Sequence, residues 1–252
     1  VKKTIYTLNI CDYSPDICAL TYPLMRAWAD KIGAAFHVIR DRKWPDMPPV
    51  YEKLQIYDLA RERGDDWSIF LDGDTLVYPN MFDPTEFLHR REVFCHMNDM
   101  ANMRFRSNDI FRRDGRSIGW TNWLAIASSW CRDLWHPLED MTFSEAVANI
   151  TTTLEERNKG ITPDHLIDDY VLSYNVAKYG LHFKTFPAML QSLGMDPKAQ
   201  AFWHNYTFSE EQKVVEMRKV LQSWGMARAD ELPATTNGRP HQPRESTLCV
   251  QS

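Results

Sequence analysis

The sequence predicts an α/β fold, a parallel sheet with helices packed on its faces. Three observations carry that expectation. Residues 4–39 read strand, helix, strand, which is one βαβ unit. Two short apolar runs, 67–71 and 123–127, have the composition of strands buried on both faces. Helical spacing of apolar residues recurs between the strand signals, most clearly at Leu166, Ile167, Tyr170, Val171 and Tyr174.

The elements follow in order. Thr4-Ile5-Tyr6-Thr7-Leu8-Asn9 is rich in β-branched and aromatic residues, as strands are. A turn-rich stretch, 12–16, leads into a helix marked by Leu20, Leu24, Ala27 and Trp28, with Gly33 as its stop. Residues 36–39 form the second strand. Pro48-Pro49 opens a helix with Val50, Leu54 and Tyr57 on one face, ending near Gly64. The strand at 67–71 runs directly into Asp72-Gly73-Asp74, and Leu76-Val77-Tyr78 continues extended before Pro79-Asn80 turns the chain.

Residues 92–97 predict another strand, and 98–119 a long polar loop containing Arg104, Arg106, Arg112, Arg113 and Arg116. Such a loop is either solvated or a meeting place for an anionic ligand. A single helix is expected over 144–159, closed by Gly160. Thr162-Pro163 starts the next, with Thr as cap and Pro in the first turn. A strand at 182–186 and an amphipathic helix at 209–224 complete the domain, taken as residues 1–226. Residues 227–252 hold three prolines between 230 and 252 and no aromatic residue, and predict a disordered tail.

Composition bounds the function. With 29 basic and 34 acidic residues the net charge is -5, so a duplex nucleic acid is not the expected partner. Five cysteines, none spaced C-x-x-C, argue for free thiols in a reducing compartment over a zinc site or disulfide framework. No apolar run approaches the ~18 residues needed to cross a bilayer, and no leader pattern opens the chain. A cytoplasmic location is expected, with peripheral membrane association left open. Nine tryptophans stand out, including Trp120, Trp123, Trp130, Trp135 and Trp203. Indoles pack cores and also stack on sugar rings, so the cluster hints at a carbohydrate.

The chemistry centres on Asp72-Gly73-Asp74. Two carboxylates two residues apart at a strand end project to one side, and a glycine between them permits close backbone approach. Carboxylates suit Mn²⁺ or Mg²⁺, ions that bridge to phosphate oxygens. In open parallel sheets ligands bind beyond the carboxyl ends of the strands, where this segment lies.

Glu52-Lys53-Leu54 followed by Trp67-Ser68-Ile69-Phe70-Leu71-Asp72-Gly73-Asp74-Thr75-Leu76-Val77 resembles the GT-A superfamily of nucleotide-sugar glycosyltransferases. The likeness is to families related to glycogenin and to fungal galactosyl- and mannosyltransferases, and extends over about residues 4–206. It implies a Rossmann-like, mixed but mostly parallel sheet flanked by helices. It also implies a hexosyltransferase acting on a nucleoside-diphosphate sugar, UDP-linked in preference to GDP-linked, with a glycan hydroxyl as acceptor. Sugar, acceptor, stereochemistry and oligomeric state are not indicated.

The resemblance carries residue by residue. It implies nucleotide-sugar contacts at Leu8, Asn9, Asp12, Tyr13, Lys53, Asp72 and Gly73. Arg40 is added as a nearby cation. Asp72, Asp74 and His204, in Phe202-Trp203-His204-Asn205-Tyr206, would hold the metal. Asp168-Asp169 matches the acidic pair near the active site, with Asp169 as base if the reaction inverts. Gly119, Trp120 and Asn122 match the acceptor-side loop. The alternatives are a haloacid-dehalogenase-like phosphatase, a nucleotidyltransferase or a non-catalytic carbohydrate-binding protein. The phosphatase motif wants Thr or Val where this chain has Leu76, and no Gly-rich phosphate loop of a nucleotidyltransferase occurs near Leu8 to Pro15.

Overall fold

The strands are β1 (Lys3–Leu8), β2 (Ala35–Ile39), β3 (Trp67–Leu71), β4 (Leu76–Val77), β5 (Glu92–Cys95), β6 (Leu124–Ser128), β7 (His182–Thr185) and β8 (Phe202–Trp203). Six of them form one sheet in the order β2-β1-β3-β6-β5-β7, while β4 and β8 make a two-stranded ribbon. β2, β1 and β3 run parallel, as do β5 and β7, and β6 runs antiparallel to both its neighbours. The sheet is therefore mixed but mostly parallel. The computed structural model describes residues 1–96 and 123–226. The 98–119 loop, Gly119, Trp120 and Asn122, and the 227–252 tail lie outside the described residues.

Strand alternation divides the core. Ile69 and Leu71 of β3 face one hydrophobic layer and Phe70 the other, as a two-residue period requires. One layer joins the sheet to α1 (Pro15–Lys31) through Met25, Trp28 and Ala29. The opposite layer joins it to α2 (Ile56–Arg63) and, later in the chain, to the helix over Ile167–Lys178. All five residues of β3 are buried, which explains its unbroken apolar character. Trp135 is core: its indole N–H donates to Ser68 Oγ at 2.8 Å, and that hydroxyl donates to the Ala127 carbonyl at 3.1 Å. The buried Ser68 hydroxyl is thus satisfied.

Three local expectations change. Pro49–Gln55 is a 3-10 helix that runs into α2, not the start of one α-helix. It is tied down by Glu52, whose buried carboxylate accepts from Arg42 Nε, the backbone N–H groups of Lys43 and Trp44, and Gln55. The helix expected over 144–159 is two, α3 (Phe143–Ala148) and α4 (Leu154–Asn158). Each has its own capping box, Thr142 with Glu145 and Thr153 with Glu156, so the chain restarts between them. Phe186 begins a helix, α6 (Phe186–Ser192), rather than ending β7, because Thr185 caps it and Pro187 sits in its first turn. Numbered accordingly, α5 is Ile167–Lys178 and α7 is Glu210–Ser223.

Cys18, Cys95 and Cys131 are buried free thiols, whereas Cys11 is disulfide-bonded and departs from the expectation. No helix among the described residues is long and apolar enough to cross a membrane.

Candidate metal centre and cavity

β1 and β3 end together because they are parallel neighbours in register, Tyr6 opposite Phe70. β6 begins at the same end because it is antiparallel: Leu71 pairs with Leu124, and the Asp72 N–H donates to the Trp123 carbonyl at 2.9 Å. Three chain segments thus converge at one edge of the sheet, around a cavity of about 450 Å³.

Asp72-Gly73-Asp74 forms the floor. A turn bond from the Thr75 N–H to the Asp72 carbonyl, 3.0 Å, curls the segment into β4. Gly73 is required here by its own protein: a Cβ would lie 3.0 Å from the Leu8 carbonyl oxygen and 3.5 Å from the Tyr13 ring. Its carbonyl accepts from the buried Thr21 hydroxyl at 2.6 Å.

The ribbon delivers His204. Leu76 pairs with Trp203 and Val77 with Phe202, so the residue after β8 falls opposite Thr75, next to Asp74. His204 Nε2 lies 3.2 Å from Asp74 Oδ1 and 3.7 Å from Asp72 Oδ2. Its ring stacks on Trp123, centroids 5.1 Å apart at 16°, which holds the imidazole plane. One ligand atom from each of Asp72, Asp74 and His204 lies within 4.8 Å of the others. Two carboxylates with an imidazole at this spacing fit a divalent metal ion.

The two carboxylates differ in surroundings. Asp74 Oδ2 accepts from Lys213 Nζ of α7 and from the Tyr13 hydroxyl at 3.3 Å, leaving Oδ1 towards His204. Burial pushes the Asp74 carboxyl up, but His204 and Lys213 outweigh it and hold it below the usual range. Burial pushes Asp72 up, and repulsion from Asp74 and Asp168 adds to it; Lys53 and His204 do not offset the rise. Burial and the same carboxylates hold the Tyr13 phenol far above its ordinary pKa, so it remains a donor.

Lys53 lies beneath the floor. It is wholly buried, 3.4 Å from Asp72 Oδ1 and 2.6 Å from Asp168 Oδ2, with Nζ over the Phe70 ring. Burial alone would lower its pKa, but Asp168 and Asp72 hold it above the ordinary lysine value. Asp168 also accepts the Asp169 N–H on its other oxygen. Asp169 lines the cavity one residue further along α5.

The sequence-derived residues therefore separate. Leu8, Tyr13, Asp72, Gly73, Asp74 and His204 line the cavity, as do Asp168 and Asp169. Asn9, Asp12, Arg40 and Lys53 do not. Asp12 and Arg40 are exposed; Asp12 and Cys11 form the β1–α1 turn with positive φ, 52° and 57°. Trp123, His165, Tyr206 and Lys213 also line it and carry no motif of their own. For His165 a signal existed: it precedes Asp169 by four residues, one helical turn. Of the Trp cluster, Trp123 meets the cavity, Trp135 is core and Trp130 is 60% exposed at the surface.

No protein-family model matches the chain, and no curated protein matches its sequence. Among solved structures, the fold is similar to "a glycosyltransferase involved in the glycosylation of the major capsid of PBCV-1". The TM-score is 0.51 at 12% identity, covering 87% of this chain and 100% of that one. At that identity the likeness speaks for the fold alone: a mixed, mostly parallel α/β sheet flanked by helices, consistent with the GT-A glycosyltransferase fold.

Proposed function

We propose that this chain is a metal-dependent glycosyltransferase that moves a hexose from a nucleoside-diphosphate sugar, UDP-linked in preference to GDP-linked, to a hydroxyl of a glycan acceptor. The observation that carries the reading is the convergence of Asp72, Asp74 and His204 on one cavity at the carboxyl ends of β1 and β3. Four carboxylates, Asp72, Asp74, Asp168 and Asp169, surround it, against the two lysines Lys53 and Lys213. That imbalance favours a divalent cation.

In this reading Asp72, Asp74 and His204 hold Mn²⁺ or Mg²⁺, which supplies Lewis-acid stabilisation of a departing diphosphate. The remaining work belongs to the chain. Lys213 places fixed positive charge at the end of the cavity where the leaving group gathers negative charge. Leu8 and Tyr13 offer apolar and aromatic surface to the nucleoside, with Asn9, Asp12 and Arg40 contributed from the adjoining turn and strand end. Asp169 takes the acceptor proton if the reaction inverts, or stabilises positive charge at the anomeric carbon if it retains. Asp168 and Lys53 position these groups. Gly119, Trp120 and Asn122 remain assigned to the acceptor side.

A thermal-shift panel of UDP, GDP, CDP and ATP, each with and without Mn²⁺, tests this on wild type and Asp74→Ala. A site filled to ~100 times its dissociation constant adds about 2.7 kcal/mol. Stabilisation by one diphosphate, only with metal and only in wild type, is expected. No shift with any nucleotide overturns the reading.

A further inference from the structure

His165 stands on the cavity wall in the short 3-10 turn Pro163–Leu166 that leads into α5. Its two ring nitrogens have different duties. The Thr162 backbone N–H lies 3.2 Å from Nδ1. A backbone N–H only donates, so Nδ1 must present its lone pair there. The Thr162 hydroxyl donates to Asp164 Oδ1, so its hydrogen is turned away from the ring. In the neutral imidazole the ring hydrogen then sits on Nε2. Moving it to Nδ1 would set two N–H groups against each other.

From this geometry we propose that His165 donates a hydrogen bond, through Nε2–H, to the oxygen of a sugar hydroxyl held in the cavity. The inference rests on the transferase reading and deepens it. Asp169 and His165 line the same cavity, one helical turn apart. A hydroxyl group both accepts and donates, and the wall offers both complements: an imidazole N–H and a carboxylate. The locked tautomer also denies His165 the role of general base, because its available nitrogen carries hydrogen. Proton acceptance is left to Asp169.

The hydroxyl belongs either to the donor sugar or to the acceptor, and kinetics on the full chain separate the two. Hydrolysis of UDP-glucose with Mn²⁺ gives KM for the donor, and transfer to methyl glucosides gives KM for the acceptor. His165→Ala should raise one of these by about five- to tenfold, the loss of one neutral hydrogen bond. The kcat should stay within about twofold, and the pH–rate profile should keep its shape. His165→Gln, whose amide can both accept from Thr162 and donate into the cavity, should recover most of the loss. A raised donor KM assigns the donor sugar; a raised acceptor KM assigns the acceptor. Unchanged KM for both in an active wild type overturns this inference alone. So does a collapse of kcat with loss of one pH limb, which would make His165 the base. A wild type that turns over neither UDP-glucose, UDP-galactose nor GDP-mannose overturns the transferase reading and this inference with it.

Discussion

Lys53 and Asp168 meet in a buried ion pair, Nζ to Oδ2 at 2.6 Å, with the lysine side chain 0% and the aspartate 4% exposed. The same ammonium reaches Asp72 at 3.4 Å, so one cation fastens the end of β3 to the start of α5. Removing one partner of such a pair leaves an uncompensated buried charge. Lys53→Met should therefore destabilise by about 3–5 kcal/mol. Adding Asp168→Leu should recover part of that loss, since an apolar pair of similar volume is often tolerated. Urea denaturation of the single and double variants measures both. Equal stabilities for wild type and Lys53→Met would mean the pair does not hold the two elements together.

Trp123 supports His204 through its ring. Its stacked face holds the imidazole against Asp74. Partners that orient a ligand typically contribute 10–100-fold in metal affinity. Trp123→Ala should weaken Mn²⁺ binding by about tenfold or more, and His204→Ala by more than Trp123→Ala. Titration followed by the electron paramagnetic resonance of free Mn²⁺ reads this without reference to turnover.

His96 packs among Trp123, Phe186 and Phe202. Burial, with His204 nearby, lowers its pKa to about 4 from the ordinary 6.5. Below pH 6.5 the unfolded chain takes up a proton that the folded chain refuses, so stability falls as pH falls. The loss begins near pH 6.5 and levels off near pH 4, reaching about 3 kcal/mol. In chelator, His96→Leu should remove this component of the acid sensitivity. Parallel stability–pH curves for variant and wild type between pH 4 and 6.5 would contradict it.

Gly73 is caught between Leu8 and Tyr13, with 3.0 Å available between a new Cβ and the Leu8 carbonyl oxygen. The backbone there is bonded on both sides and has little room to give. Gly73→Ala should destabilise by about 1–3 kcal/mol and, by moving Asp72 and Asp74 together, weaken Mn²⁺ binding. Chemical denaturation and the same metal titration check the two effects. A variant as stable and as tightly metal-binding as wild type would show the contact to be slack.

Local chemistry made much of this protein readable in one dimension. The strand runs at 4–9 and 67–71, the start at Thr162-Pro163 of the 3-10 turn that runs into α5, and the left-handed stop of α2 at Gly64 each follow from a residue's own backbone preferences. The acidic segment after β3 was legible as a carboxylate pair at a strand end, although a turn closed by the Thr75 N–H on the Asp72 carbonyl, not strand alternation, brings the two side chains to one cavity. What misled was length: 144–159 has helix-forming composition at both ends, but Asn149-Ile150-Thr151-Thr152-Thr153 lies between them and two capping boxes divide it.

The sequence by itself therefore determined the βαβ start, the mostly parallel sheet and the place of the Asp72–Asp74 pair. Only the tertiary structure decided what meets that pair. His204 arrives through the β4–β8 ribbon, Lys213 through the packing of Met217 and Leu221 against Ile17 and Leu76, and Trp123 through the reversed direction of β6. It also set Lys53 beneath the cavity, between two carboxylates, rather than in it. These are contacts between residues far apart in the chain. They are fixed by strand register and by which apolar faces bury one another, and neither leaves a mark in the local pattern of residues.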